Sequence, residues 1–532
     1  MRRLLLIAAG LAVAVAVAVA VAVAVAVPTA GAADRSDVLL VGLRPGGAFM
    51  AARALSRAGA SELAPSVAIW RVASTRGKVV VAQLQRLGLV RWTQPERPID
   101  VAEGRVIPDP LTPHQWWRGR VGADAAEPPA AGVPVTIIDT GVDLSHPEFA
   151  GRPETTPLTL QRVTDSDNDY HGTAVASVAA APANGIGLLG IYPTASLRLY
   201  DATLAGRMTD AELIRAIDAA ATAGPSVINL SLGSPRFNQA LQDVIYSAFR
   251  RGSLIVAASG NSRRSGNPLN FPANMAHVLT VGATASSDAV APFSSTSAGV
   301  DLAAPGVDIP VAMPASYARS GFGTAEGTSF STPMVSGATA WVWTARPRLD
   351  NTQIFDVMRL SARDIGRLGF DEETGFGLLD VPAALVRAAP LPDPQEPNDD
   401  VTLVKPGALF LDGQPALTTP SRRKASIRAR VDVSEDPFDL YRVWIGAHKT
   451  LVASVHAVGD VDLAVWRPAT PSIYEVGTRS KRFRAASSSR GGSSDSLTFR
   501  NTTSRGAYYY LELHPGRKVG GSASYSVTVT TK

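Results

Sequence analysis

Between residues 133 and 385, short apolar runs with almost no charge recur at 135–138, 197–199, 227–230, 254–258 and 278–281. Helix-like stretches separate them, notably 210–222 and 238–250. A strand with no polar side has to be covered on both faces, and strands joined through helices lie parallel. The segment therefore predicts an α/β domain of three layers with a mostly parallel sheet. Outside it the period changes. Residues 400–532 carry short alternating segments, at 440–445, 451–455, 461–465, 508–513 and 525–529, which predict an antiparallel β-sandwich. Residues 37–97 read as strands at 38–41, 67–72 and 90–92 and helices at 51–58 and 79–87, in keeping with a small β-α-β-β-α-β unit. Residues 96–132 read as an irregular connection, and Pro390, Pro392, Pro394 and Pro397 make 389–399 a linker.

The N-terminus begins with Arg2 and Arg3, runs apolar from 4 to 27, and reaches Pro28 and Ala30-Gly31-Ala32. That is the layout of a secretory signal peptide. The apolar run is also long enough to cross a bilayer, so an uncleaved membrane anchor is the alternative. On either reading the rest is exported. The expected division is a signal peptide 1–33, a small α/β unit 34–103, the parallel α/β domain 104–388, the linker 389–399 and the sandwich 400–532.

Composition then decides which chemistries are open. Zero cysteine excludes thiol nucleophiles, disulfides and Cys-ligated metals. No lysine lies between Lys78 and Lys405, which excludes a Ser–Lys dyad or Schiff base in the α/β domain. The seven histidines, His114, His146, His171, His277, His448, His456 and His514, include no H-E-x-x-H pair. Hydroxyl, imidazole and carboxylate chemistry remains. The net charge of +5 is uneven: residues 421–532 hold 18 Lys+Arg against 9 Asp+Glu. This basic end has the charge for weak contact with a polyanion or cell surface, and so does Arg479–Arg484 within it; a solvated Arg-rich face is the plainer reading. Nucleic acid is not an expected partner.

Three segments carry chemistry. Val135-Thr-Ile-Ile-Asp139-Thr-Gly141 is an apolar strand ending in a carboxylate; Tyr170-His171-Gly172-Thr173 opens a small-residue helix; Gly327-Thr328-Ser329-Phe330-Ser331-Thr332-Pro333 opens another. Strand C-termini and helix N-termini of a parallel sheet meet at one edge, where ligands bind. A serine hydroxyl needs a base within reach, which His171 supplies for Ser329. Asp139 suits the part of holding His171 in one tautomer. The oxyanion needs donors, and Asn261, closing Ala257-Ala258-Ser259-Gly260-Asn261, offers one beside the Ser329 backbone N–H.

These four segments resemble the subtilisin-like serine proteases (subtilases), in their Asp…His…Ser order. Phe271-Pro-Ala, Val281-Gly-Ala, Ala304-Pro-Gly306 and Gly375-Phe-Gly-Leu-Leu-Asp380 add to the likeness, which spans residues 108–385. The resemblance implies a serine endopeptidase acting through an acyl-enzyme, with no cofactor needed for catalysis. It implies that Asn229-Leu-Ser231-Leu232-Gly233 pairs with extended protein or peptide substrates. It also implies that Ala258, Ser259 and Gly260 bind substrate, and that Asn270, in the loop 262–270, lines the base of the pocket for the side chain before the scissile bond. A calcium loop of the family resembles Ala183-Asn184-Gly-Ile-Gly187, with an acid at Glu148, making Glu148 and Asn184 candidates for a structural calcium. His146 reads as structural, and Asp143, Asp165, Asp167 and Asp169 as solvated loop acids.

The sequence departs from the family pattern at Ala174, Ser177, Phe330 and Ser331; none removes a proton-transfer group. Residues 37–97 resemble a subtilase propeptide, which implies an intramolecular inhibitor that is cut away, making the chain a zymogen. Glu396-Pro-Asn-Asp399, Asp439-Leu-Tyr-Arg-Val and Asp460-Val-Asp-Leu resemble the bacterial pre-peptidase C-terminal domain. The contrasting reading is a catalytically idle surface-binding protein, or an anchored processing protease if the N-terminus is retained.

Overall fold

Period-two alternation with both faces apolar is what makes the central sheet. In this computed structural model, which describes residues 38–97, 100–101, 105–107, 115–163, 169–204, 207–433, 435–517 and 522–532, seven strands lie side by side. Their order is Leu302–Pro305, Val278–Thr284, Leu254–Ala258, Val227–Leu230, Val135–Asp139, Leu197–Asp201 and Thr155–Pro157. Every neighbouring pair is parallel. Val135, Ile137, Val227, Val256 and Leu279 turn to one face, against Ala174, Val178, Val335 and Ala338 of the helices His171–Ala180 and Thr328–Ala345. Ile138, Ile228, Leu230, Ile255 and Ala257 turn to the other, against Ile214, Ile217, Val244 and Ile245 of Asp210–Thr222 and Gln239–Arg250. Both latter helices begin where their caps dictate: Thr209 accepts from Glu212 N and Asn238 from Leu241 N.

The small N-terminal unit is a four-stranded antiparallel sheet in the order Ser61–Ala64, Ile69–Val72, Leu39–Leu43, Val90–Pro95. Val41, Leu43, Trp70 and Val72 close over its own helices, Ala48–Arg57 and Thr75–Arg86. Leu40, Val67 and Ile69 join the core beneath Asp210–Thr222 and Gln239–Arg250. Arg91 pairs with Asp243 at 2.9 Å and Gln94 accepts from Gln239 N at 2.9 Å. The C-terminal unit is two four-stranded antiparallel sheets, Lys424–Asp432, Ser522–Thr531, Thr450–Val458, Ser494–Arg500 and Asp439–Ile445, Ala507–Pro515, Val461–Trp466, Arg484–Ser488. Tyr441, Val443, Leu451, Leu463, Leu511 and Val527 fill the space between them.

The sheets hold more strands than the hydrophobic pattern named. Ser61–Ala64, Lys424–Asp432, Arg484–Ser488 and Ser494–Arg500 all lie at sheet edges, where half of the side chains face water and the apolar signal thins. The stretch expected to be an irregular connection contains the strands Asp100–Val101 and Arg105–Ile107 and the helix Trp116–Arg120. The signal peptide and anchor readings fall on residues 1–33, which lie outside the described residues. Among the described residues no helix is long and apolar enough to cross a membrane.

Candidate active site

Asp139 is the last residue of its strand, so its carboxylate emerges at the C-terminal edge of the sheet. Thr140 N donates to Asp139 Oδ1 at 2.8 Å, and the same oxygen lies 2.8 Å from His171 Nδ1. His171 is the first residue of its helix. Gly172 seats that helix against the strand: its N–H donates to Thr140 Oγ1 at 3.1 Å, and a Cβ there would sit 2.1 Å from Gly141 O. Asp139 and His171 are each 1% exposed. A carboxylate at Nδ1 selects the tautomer that donates from Nδ1 and leaves Nε2 as the acceptor. Nε2 is buried and has no hydrogen-bond partner.

Ser329 stands at the start of a different helix. The chain enters it through Gly327, at φ 148° and ψ 157°, a conformation a side chain would strain. Pro333 then lies inside the first turns. It has no N–H to offer the carbonyl four residues back, which is that of Ser329. Ser231 Oγ donates to that carbonyl instead, at 2.9 Å, while Ser329 Oγ donates to Ser231 O at 3.2 Å. Asn229 Nδ2 donates to Ser231 Oγ, and Ser336 Oγ to Asn229 Oδ1, both at 2.9 Å. The Phe330 ring lies 5.7 Å from that of His171. The fold thus joins Asp139 to His171 directly and brings the Ser329 helix beside them. No hydrogen bond links Ser329 Oγ to His171 Nε2 in this geometry.

Asn261 follows the strand Leu254–Ala258 through Gly260, at φ 103°. Its Oδ1 accepts from both Thr328 N and Thr328 Oγ1 at 2.9 Å. Holding the oxygen this way turns the Nδ2 donor to the opposite side. Neither Thr328 nor Ser336 was read from the sequence as a contributor. Only the position of Thr328 beside Ser329 hinted at it; nothing in periodicity or spacing marks Ser336.

Ser231, Leu232 and Gly233 converge with Ala258, Ser259, Gly260 and Asn270. Asn270 Nδ2 donates to Ala258 O at 2.9 Å, and a Cβ on Gly233 would lie 2.3 Å from that same nitrogen. On Gly260 it would lie 3.2 Å from Asn270 Cβ. The Asn270 amide therefore fills the gap between the two glycine segments. Ser259 Oγ donates to Ser295 O at 3.0 Å. The backbone of Leu232–Gly233 pairs antiparallel with Asp100–Val101, and Phe322–Glu326, which leads into Ser329, pairs with Arg105–Ile107.

Glu148 is 1% exposed and its Oε1 has no partner. Burial pushes its carboxyl up to about 7. Asn184 Nδ2 lies 3.5 Å from Glu148 O, and Asn184 Oδ1 accepts from Ile186 N at 2.8 Å. The pair offers oxygen donors only, which fits a hard cation. His146 is structural, as expected: Nε2 donates to Gly321 O at 2.6 Å and Nδ1 accepts from Glu148 N at 3.0 Å. Asp143 accepts from Ser145 N and Oγ. Asp165 and Asp167 lie outside the described residues.

Two departures from the family pattern have local reasons. Ser177 Oγ donates to Ala174 O and accepts from Ala312 N. Ser331 Oγ donates to the carbonyls of Ala304 and Pro305 at 3.0 and 3.1 Å.

Residues 130–377 match the subtilase family. The chain is similar to Subtilisin BL of Lederbergia lenta, 36% identical over 273 residues, covering 51% of this chain and 97% of that protein. Subtilisin Savinase of the same organism is 35% identical over 275 residues, covering 51% and 97%. Among solved structures, fervidolysin from Fervidobacterium pennivorans, a keratinolytic enzyme related to subtilisin, is similar in fold. Its TM-score is 0.56 at 19% identity, over 90% of this chain and 69% of that one.

Proposed function

This chain belongs to the subtilase family and is a serine-type endopeptidase, and from that premise we propose that it hydrolyses proteins through an acyl-enzyme on Ser329, with His171 as general base and Asp139 as its orienting partner. One observation carries the assignment. His171 has one nitrogen held by Asp139 and the other buried, unpartnered and free to accept a proton. The proposed proton-transfer pair needs Ser329 Oγ to leave the Ser231 carbonyl for that nitrogen, and such bonds commonly tighten only with substrate bound. Ser329 Oγ attacks the scissile carbonyl as its proton passes to His171 Nε2. The proton then goes to the departing amine, leaving an ester that water hydrolyses by the reverse relay. Asn261 Nδ2 and the Ser329 N–H are the donors for the tetrahedral oxyanion. No step calls on a cofactor.

Substrate would lie along Ser231–Gly233 as an added strand, its side chain before the scissile bond entering the space bounded by Ala258, Ser259, Gly260 and Asn270. Residues 34–103 are the proposed propeptide and intramolecular inhibitor. The backbone pairing of Asp100–Val101 with Leu232–Gly233 supports this, because it occupies the edge a substrate needs. Export with removal of 1–33, and a structural calcium at Glu148 and Asn184, complete the reading. The catalytic unit would be 104–388, followed by the linker 389–399 and the sandwich 400–532.

Casein hydrolysis by the processed enzyme should fall about 10⁴–10⁶-fold in kcat on Ser329→Ala. A serine-directed phosphonate should label the parent at Ser329 alone. Activity that survives the substitution refutes the nucleophile. N-terminal sequencing of the exported protein separates a start after Ala32, a start after the 34–103 unit, and a retained Met1.

A further inference from the structure

With an extended substrate paired along Ser231–Gly233, the choice between substrates falls to the space beside that strand. Two walls bound it. One is the strand Leu232–Gly233; the other is Ala258, Ser259 and Gly260 at the end of the strand Leu254–Ala258. Each wall presents a glycine to the gap, and a gap with glycine on both sides has room for a large side chain. Here that room is taken by a third residue.

A Cβ on Gly233 would stand 2.3, 2.5 and 2.6 Å from Asn270 Nδ2, Oδ1 and Cγ, and a Cβ on Gly260 would stand 3.2 and 3.3 Å from Asn270 Cβ and Cγ. The amide of Asn270 therefore lies against one wall and its stem against the other. Three sets of bonds hold it there. Nδ2 donates to Ala258 O at 2.9 Å. Phe271, the next residue, exchanges both backbone hydrogen bonds with Ser234, at 2.8 and 2.9 Å. Asn270 O accepts from Asn274 N at 3.0 Å and from Asn274 Nδ2 at 2.8 Å. Swinging the amide aside to admit a large side chain would break the bond to Ala258 O.

The antiparallel pairing of Leu232 with Val101 and of Gly233 with Asp100 supplies a register for a bound strand. Ser231 precedes Leu232, and its carbonyl lies 3.2 Å from Ser329 Oγ. In this register the residue that follows the Val101 position falls opposite Ser231, which brings its carbonyl to the nucleophile. In this chain the residue after Val101 is Ala102, followed by Glu103. Residues 102–104 lie outside the described residues, so the alanine enters by register and sequence alone. Its side chain is a single methyl group.

We propose that Asn270 determines specificity by reducing the pocket to a shelf that takes glycine, alanine or serine before the scissile bond and turns away aromatic and long aliphatic side chains. The chain's own first cut then falls between Ala102 and Glu103, so that the released unit ends one residue before 103. This rests on the catalytic reading and adds to it a substrate class. In that cut Ser329 Oγ bonds to the Ala102 carbonyl carbon, the bond to Glu103 N breaks, and His171 passes the serine's proton to that nitrogen. Water then releases Ala102 as a carboxylate.

The test compares, on the processed enzyme, two tetrapeptide anilides that differ only in having alanine or phenylalanine before the anilide. Alanine should be favoured by about 100-fold or more in kcat/KM, the scale on which a filled pocket discriminates by size. Asn270→Gly should raise kcat/KM for phenylalanine about 100-fold and alter that for alanine less than about threefold. In the full chain, Ala102→Phe should slow the first self-cleavage about 100-fold, and Asn270→Gly added to it should restore the rate. If the Asn270→Gly chain fails to fold, the parent's ranking and the mass of its first released fragment still decide. A parent that prefers alanine by less than about tenfold, a first cut at another bond, or an Asn270→Gly enzyme that still rejects phenylalanine would each overturn the proposal. Ser329-dependent hydrolysis would in those cases leave the catalytic reading standing. No hydrolysis of either peptide and no phosphonate on Ser329 would overturn the catalytic reading, and the pocket with it.

Discussion

Asn261 and Thr328 show how a single donor is aimed. An amide rotates freely about its last bond unless one end is held, and Thr328 holds the oxygen end with two hydrogen bonds of 2.9 Å. Asn261→Ala should therefore lower kcat about 10²–10³-fold with little change in KM, as loss of an oxyanion donor does. Thr328→Val keeps the backbone bond and removes the hydroxyl bond. It should lower kcat about tenfold, in keeping with one buried hydrogen bond of about 1–1.5 kcal/mol, and again spare KM. Steady-state kinetics on the processed enzyme separates these from a binding defect. His171→Ala should match Ser329→Ala, whereas Asp139→Ala should leave more activity. The sequence offers Asp139, His171, Ser329 and Asn261 as candidates because Asp139 ends a strand, His171 and Ser329 stand in the first turn of helices, and Asn261 follows a strand, each in a recognisable phrase. Thr328 and Ser336 were not legible: they act through hydrogen bonds to residues far away in the chain, and no local pattern encodes such a partner.

The helix Asp210–Thr222 carries a titration of its own. Asp210 accepts from Asn238 Nδ2 at 2.6 Å and from Arg97 N at 3.1 Å, but burial outweighs both and pushes its carboxyl from 3.8 up to about 7. A carboxyl raised in the folded state keeps its proton where the unfolded chain has lost it. Stability from this group therefore falls as pH rises through the window from about 4 to 7, with a slope of at most about 1.4 kcal/mol per pH unit. Asp210→Asn should flatten the pH dependence of the urea midpoint across that window and leave it unchanged above. At this scale the sequence was read well in the interior and poorly at the margins. The pattern placed the two covering helices within a residue, because their apolar stripe and caps agree. It missed Lys424–Asp432, Arg484–Ser488 and Ser494–Arg500, whose exposed faces carry Arg and Ser at positions that a central strand would fill with apolar side chains.

Across the molecule, buried charge does the joining that a proline-rich linker alone would not. Arg359 is 0% exposed and bridges Asp356 and Asp432. Arg359→Met would leave both carboxylates buried without it, a loss of about 3–5 kcal/mol. Denaturant unfolding followed by tryptophan fluorescence should show it as a lower midpoint. A different kind of long-range contact is the strand Asp100–Val101 on Leu232–Gly233. As the proposed inhibitor, this tethered strand competes with free substrate at an effective concentration on the order of millimolar. A peptide of ordinary affinity added at micromolar levels then meets an edge that is already taken. Progress curves from newly folded full-length chain should begin with a lag, and the length of that lag should not respond to substrate concentration. The lag would be a clock set by covalent tethering, timing when the enzyme first becomes able to act on anything other than itself.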